Sequence, residues 1–278
     1  MDNILTNQPT HTPFLKWAGG KRWFVRQHST LFPKTYRRYI EPFLGSGAVY
    51  FFLKPKSALL GDINPDVIDT YRAIKENWNE LNKSLARHQR SHDTLEDYYY
   101  KVRSQSPKTL VNRASRMIYL NRTCFNGIYR VNKQGEFNVP RGTKDTVLLD
   151  SDDFESLASL LSSADLRVAD FEVLIDEAVE DDLLFVDPPY TVRHNLNGFI
   201  KYNEVLFSWA DQERLARAIK RAASRGVKVV ATNANHHSVR HLYSGWDFLT
   251  RAVTRFSQIS ADGSSRRQFE ELIITSNI

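Results

Sequence analysis

Leu183-Leu184-Phe185-Val186-Asp187-Pro188-Pro189-Tyr190 runs from four apolar residues straight into a carboxylate, two prolines and a tyrosine. A short apolar run bounded in this way reads as a strand buried on both faces. The prolines carry no N–H and hold φ near one value, so the chain cannot continue into sheet pairing and its carbonyls are left as acceptors. The Asp187 side chain and the Pro188 carbonyl can then accept the two hydrogens of one exocyclic amino group, while Tyr190 offers a flat face on which a base can stack. Such an amino nitrogen is a weak nucleophile because its lone pair is delocalised into the ring. Two acceptors favour its pyramidal, more reactive form, and the carboxylate stabilises the charge that develops on it.

On either side of this segment, strands alternate with helices. Arg38 to Phe43 reads as a strand that runs into the turn Leu44-Gly45-Ser46-Gly47, and Ala58 to Gly61 as a second strand that stops at Asp62-Ile63-Asn64-Pro65. Val67, Ile68, Tyr71, Ile74, Trp78, Leu81 and Leu85 then recur at helical spacing. From about Ser91 to Asp150 the alternation breaks, with a helical piece around Arg113 to Asn121 and a hairpin-like piece around Tyr129 to Val139. It resumes with a strand at Leu166 to Val168, the strand Leu183 to Val186, an amphipathic helix over Asp211 to Ser224 capped by Ser208 and Asp211, and a strand at Val227 to Ala231. Phe248 to Phe256 and Phe269 to Thr275 read as two strands around the turn Ala261-Asp262-Gly263-Ser264. The expected fold is α/β: a mostly parallel sheet covered on both faces and closed at one edge by an antiparallel hairpin.

In such a sheet ligands sit at the carboxyl ends of strands. Gly45 and Gly47 let backbone approach a ligand, and Asp62, ending the next strand, can accept both hydroxyls of a ribose. Tyr50 stands where a dinucleotide fingerprint needs its third glycine, which favours a nucleoside ligand without phosphates and counts against a nicotinamide-dependent dehydrogenase. The chain has 278 residues, 41% of them hydrophobic, and a net charge of +6. Its basic residues Arg113, Arg116, Arg122, Arg130, Lys133, Arg141 and Lys144 are interleaved with Tyr119, Phe125, Tyr129 and Phe137, a composition suited to nucleic acid or to a solvated basic face. The single cysteine, Cys124, excludes an internal disulfide and a cysteine metal cluster. No signal peptide or membrane span is read, and the cytoplasm of a bacterial or phage-infected cell is the expected location.

Several segments, in order along the chain, resemble the Dam-like (D12 class, alpha order) N6-adenine DNA methyltransferases. They are Phe14-Leu15-Lys16-Trp17-Ala18-Gly19-Gly20-Lys21, Glu41-Pro42-Phe43-Leu44-Gly45-Ser46-Gly47, Asp62-Ile63-Asn64, Asn121-Arg122, Phe125-Asn126-Gly127, Gly135-Glu136-Phe137-Asn138-Val139-Pro140 and Asp187-Pro188-Pro189-Tyr190. The resemblance implies a Rossmann-like S-adenosylmethionine-dependent sheet with an inserted, mostly helical target-recognition lobe containing a β-hairpin. It divides the chain into a first catalytic part at 1–65, a recognition domain at 66–150 and a second catalytic part at 151–278. It implies that Trp17, Lys21, Phe43, Gly45, Gly47, Asp62 and Asp187 bind S-adenosylmethionine, with Asp187, Pro188 and Tyr190 catalytic. On the DNA side, Lys16, Arg122, Arg130 and Pro140 are expected at the target, Phe125 and Asn126 at the gap left by a flipped base, and Arg266 and Arg267 at phosphates.

The implied reaction is direct methyl transfer to the N6 of a flipped adenine in double-stranded DNA, with GATC as the expected site, no metal, and a monomer on DNA or a dimer. Roles in restriction-modification, in solitary genome maintenance and in a phage are all open to such an enzyme. Alternatives sharing the amino-group chemistry are an N4-cytosine or RNA methyltransferase, and a further one is a DNA-binding relative without catalysis. Carbon-5 methylation is disfavoured, because its cysteine nucleophile would have to be Cys124 in the insertion.

Overall fold

The computed structural model describes residues 12–132, 134–192, 207–256 and 268–278. In chain order the elements begin with α1 (Arg22–His28), β1 (Tyr39–Glu41), α2 (Ala48–Leu53), β2 (Ala58–Asp62), α3 (Pro65–Thr94), α4 (Tyr98–Arg103), α5 (Leu110–Thr123) and α6 (Phe154–Leu161). They continue with β3 (Ala164–Val168), α7 (Phe171–Asp176), β4 (Leu183–Val186), α8 (Trp209–Ser224), β5 (Lys228–Ala234), α9 (His237–Tyr243), β6 (Leu249–Phe256) and β7 (Gln268–Ser276). The strands form a mixed sheet in the order β3-β2-β1-β4-β5-β7-β6. Strand β1 pairs in parallel with β2 and with β4, β4 pairs in parallel with β5, and β7 runs antiparallel to both β5 and β6.

Packing divides the described residues into two compact units, the first falling within Met1–His28, Leu44–Lys56 and Asn64–Val168 and the second within Ser29–Phe43, Ser57–Ile63 and Ala169–Ile278. These cuts differ from the 1–65, 66–150 and 151–278 partition drawn from the motifs. The N-terminal segment packs through Phe14 against Phe51 of α2 and Tyr71 of α3, with ring centroids 6.3 and 5.1 Å apart, and so shares a core with the helices that follow.

In the first unit α3 starts where Asn64 accepts from the Asp66 N–H at 3.0 Å, with Pro65 at the first helical position, where a missing N–H costs nothing. Val67, Ile68, Tyr71, Ile74, Leu81 and Leu85 are fully buried, as their spacing predicts, while a break at Asn77 (φ −143°, ψ 35°) leaves Trp78 half-buried. Among the described residues the hairpin expected over Tyr129 to Val139 consists of a single bridge, Val131 to Phe137, with backbone bonds from the Asn138 N–H to the Arg130 carbonyl at 3.2 Å and from the Asn132 N–H to the Glu136 carbonyl at 2.9 Å.

The second unit holds six strands and the helices α7, α8 and α9. Strand β1 stops at Glu41, two residues short of expectation, because Pro42 has no N–H for the ladder. Strand β4 has the predicted bounds and is buried throughout. Helix α8 carries the predicted capping box: the Asp211 N–H donates to the Ser208 hydroxyl at 3.2 Å and the Ser208 N–H to the Asp211 carboxylate at 2.9 Å. Leu184, Val186, Val229, Ala231, Leu272 and Ile274 of the sheet pack with Leu215 and Ile219 of α8 in one core, each large side chain contributing about 1.5–3 kcal/mol by burial. At the entry of β4 the buried Asp182 accepts from Arg37 at 3.0 Å through two nitrogens and from Arg38 at 3.2 Å, tying β1 and β4 together at their starts. The turn expected at 261–264 lies outside the described residues.

Candidate active site

The carboxyl end of β4 delivers Asp187-Pro188-Pro189-Tyr190 beside the carboxyl end of its parallel neighbour β5, in a register that pairs Val186 with Ala231. The next residue of β5, the buried Thr232, donates its hydroxyl to Asp187 Oδ1 at 2.8 Å. Asn233, also buried, donates to Gln212 Oε1 at 2.9 Å, and Gln212 Nε2 donates to the Pro189 carbonyl at 3.2 Å. That relay occupies the second proline's carbonyl, whereas among the described residues no donor reaches the carbonyl of Pro188. The Tyr190 hydroxyl donates to Glu271 Oε2 at 2.7 Å, with Glu271 only 3% exposed. Burial, reinforced by the Asp187 and Glu271 carboxylates, pushes the Tyr190 hydroxyl well above the usual phenol range, so it stays a donor.

Asp62 closes β2 at its carboxyl end, half-exposed, and its carbonyl accepts from the Ala169 N–H at 3.3 Å. Phe43 is stacked on Phe171 at 5.4 Å and meets Phe207 edge-on at 5.7 Å, so one face of its ring belongs to the core of the unit. Sequence reading does not single out Gln212, Thr232, Asn233 or Glu271. Their signal is faint: Thr232-Asn233 ends an apolar strand with polar residues, and Glu271 directly precedes the apolar run Leu272-Ile273-Ile274.

In the first unit the glycine turn has a structural use beside the expected one. Gly45 and Gly47 have φ of +46° and +61°, a conformation that favours glycine. A Cβ on Gly45 would lie 2.6 Å from Trp17 Cδ1, and one on Gly47 would lie 2.8 Å from the Tyr71 hydroxyl. The close approach therefore comes from the protein's own rings. Trp17 in turn stacks on Tyr129 at 5.6 Å, and Tyr129 donates to Asp66 Oδ2 at 2.8 Å. Lys21 is buried and its Nζ donates to the Gly19 carbonyl at 3.0 Å. Tyr50 is fully buried with its hydroxyl on the Leu160 carbonyl at 2.8 Å, filling the space a third glycine would leave.

The segment expected to face the target is organised by Asn121. Its buried amide accepts from the Lys16 N–H at 2.8 Å and donates to the Lys16 carbonyl at 2.8 Å and the Gly127 carbonyl at 3.2 Å. Lys16 so lies across Gly127, at the 3-10 turn Phe125–Gly127 that exposes Phe125 and Asn126, the latter at φ +55°. Partial burial, with the Lys144 ammonium beside it, lowers the Lys16 pKa. Arg130 is exposed, with Nε on Asn138 Oδ1 at 2.8 Å, and Pro140 is exposed with its carbonyl held by the Phe125 N–H at 2.9 Å.

Arg122 does not join this surface. It is 3% exposed, donating to Asp152 Oδ1 at 2.7 Å and the Val147 carbonyl at 2.7 Å, so the expectation of a DNA contact gives way to a buried ion pair. Other members of the basic series are also engaged: Arg113 with Asp69 at 2.7 Å, Arg116 with the Arg103 carbonyl at 2.6 Å, and Arg141 with Asp145 at 2.8 Å. The series is thus not one solvated face. Cys124 is buried and its thiol is pushed up to about 11 by burial, unlike a nucleophile. Arg266 and Arg267 lie outside the described residues, as does Lys133. Among the described residues no group of three or more His, Cys, Asp or Glu side chains could hold a metal ion. No helix among them is long and apolar enough to cross a membrane.

Comparison with known proteins agrees with this chemistry. The chain is 34% identical to the type II methyltransferase M1.LlaDCHI of Lactococcus lactis subsp. cremoris, covering 99% of both chains. It is 34% identical to the type II methyltransferase M.MjaIII of Methanocaldococcus jannaschii, covering 94% of this chain and 98% of that relative. It is 32% identical to a DNA adenine methylase of Haemophilus influenzae, covering 95% and 93%. The family model for the D12 class N6 adenine-specific DNA methyltransferases matches residues 17–256. That match spans both units and every described motif from Trp17 to Tyr190, and the chain belongs to the D12 class N6 adenine-specific DNA methyltransferases.

Proposed function

We propose that the chain methylates the N6 of an adenine flipped out of double-stranded DNA, with Asp187 and the Pro188 carbonyl as acceptors for the two amino hydrogens and Tyr190 as the stacking face. The observation that carries this reading is the pairing of an Asp187 carboxylate oriented by Thr232 with a Pro188 carbonyl that no donor among the described residues reaches, while Gln212 ties up the next carbonyl. An adenine in a stacked duplex cannot bring its amino group to two protein acceptors, which supports extrusion of the base.

S-adenosylmethionine supplies an electrophilic methyl group on a sulfonium. In the second unit Asp62, half-exposed at the end of β2, suits the two ribose hydroxyls, and Phe43 and Asp187 join it; in the first unit Lys21 suits the donor's carboxylate, with Trp17, Gly45 and Gly47 completing the set. The adenine N6 bonds to the methyl carbon as the carbon–sulfur bond breaks. Asp187 stabilises the positive charge that develops on N6 and then takes the surplus proton, directly or through water. Neither a metal nor a covalent enzyme intermediate is part of this scheme.

Lys16, Arg130 and Pro140 are the proposed target readers and Phe125 and Asn126 the gap fillers, supported by the exposed turn and by the way Asn121 binds Lys16 to it. GATC is the proposed site, and Arg266 and Arg267 the proposed phosphate contacts. Methylating a plasmid and mapping the modified adenines tests the reading: modification confined to GATC and dependent on duplex supports it, and modification of single strands or of RNA in preference to duplex contradicts it.

A further inference from the structure

Stacking alone does not require a hydroxyl on Tyr190, since a phenyl ring presents the same face. The hydroxyl has a use of its own: it donates to Glu271 at 2.7 Å. Glu271 is 3% exposed, and it sits in β7 at a position paired with Ala234 of β5 on one side and Val253 of β6 on the other. Backbone pairing on both flanks makes this a rigid mount for a carboxylate. A buried carboxylate is costly unless hydrogen-bonded, and a phenol donating to it forms a charge-assisted bond stronger than a neutral one. A tyrosine ring turns about only two side-chain bonds, and its para oxygen lies on the axis of the second, so holding that oxygen fixes the first rotation and with it the direction and position of the ring. Thr232, two residues before Ala234 on β5, does the same for Asp187 at 2.8 Å. The antiparallel pair β5 and β7 therefore orients both working side chains of the Asp-Pro-Pro-Tyr turn.

We infer that Glu271 is a positioning residue for methyl transfer, holding the Tyr190 side chain in the rotamer that places its ring where the target base stacks. The inference rests on the role proposed above for Tyr190. It gives β7 a part in catalysis beside its part in the sheet.

The test is steady-state methylation of plasmid DNA with labelled S-adenosylmethionine by the full-length wild type and by Tyr190→Phe, Glu271→Leu, Glu271→Asp, Glu271→Gln and the Tyr190→Phe/Glu271→Leu double variant. Tyr190→Phe, Glu271→Leu and Glu271→Asp should each lower kcat about tenfold with KM for S-adenosylmethionine little changed. Glu271→Gln, whose amide oxygen still accepts from the phenol, should stay within about threefold of wild type. The double variant should be no slower than Tyr190→Phe alone, because both changes remove one interaction. Wild-type kcat in Glu271→Leu or Glu271→Asp, or losses that multiply in the double variant, would overturn the inference. Should Glu271→Leu fail to fold, the Asp and Gln variants decide: Asp keeps the charge but is one methylene short, so Gln as slow as Asp speaks against positioning. A wild type that methylates no DNA would instead contradict the parent reading.

Discussion

Thr232 on β5 donates its hydroxyl to Asp187 at the end of β4, joining across 45 residues of sequence the polar end of one buried strand to the carboxylate at the end of its neighbour. The bond aims the carboxyl group. Thr232→Val, which keeps the shape and removes the hydroxyl, should lower kcat about tenfold while leaving the thermal midpoint within a few degrees. Asp187→Ala should lower kcat by about 100-fold or more with the fold intact by circular dichroism, judged by the cost of deleting one preorganised electrostatic group. Near-normal turnover by Asp187→Ala would remove the assigned role.

Gly45 has no room for a side chain, since its Cβ would strike the Trp17 ring at 2.6 Å and its φ is +46°. Gly45→Ala should destabilise the chain by about 1–3 kcal/mol and displace Trp17. Intrinsic tryptophan fluorescence and chemical denaturation check both effects. The double variant Gly45→Ala/Trp17→Ala should lose less than the two single losses summed, because the clash is gone.

Arg122 and Asp152 form a buried pair, 3% and 7% exposed at their side chains. Removing one partner strands the other charge, so Arg122→Ala should cost about 3–5 kcal/mol in urea unfolding. If Arg122 were instead a surface DNA contact, the same variant would keep its stability and lose DNA affinity with a shallower salt dependence.

His88 bonds to the Tyr98 hydroxyl at 2.9 Å and stacks on Tyr119. Burial, with the nearby Arg87 charge, lowers its pKa to about 4. The folded state thus binds fewer protons than the unfolded one between the unfolded value near 6.5 and the folded value. The stability this group contributes is complete above that window and falls away as pH drops through it. Thermal midpoints should fall between pH about 6.5 and about 4, less so in His88→Gln. A midpoint that does not respond to His88→Gln in that window would contradict the assignment.

The motif at β4 was legible because its evidence is local: a four-residue apolar run, two prolines and a tyrosine each act within a few residues. The capping box of α8 was legible for the same reason, its two members being three residues apart. Thr232, Asn233, Gln212 and Glu271 were not, since their roles depend on which strands lie side by side, and Glu271 is 81 residues from Tyr190. Arg122 misled because the partner that buries it, Asp152, stands 30 residues away, and an arginine beside aromatic residues reads alike on a surface or in a core. Gly45 and Gly47 read in the sequence as points where backbone approaches a ligand, and only packing identifies the Trp17 and Tyr71 side chains that lie against them.

The labelled product decides whether adenine N6 is the methyl acceptor. Purified protein is incubated with labelled S-adenosylmethionine and unmethylated plasmid, and the DNA is digested to nucleosides for identification of the labelled base. The labelled base should be N6-methyladenine, formed by the wild type and absent with Asp187→Ala. Label on N4 of cytosine, or no product despite measurable binding of both S-adenosylmethionine and DNA, would contradict it.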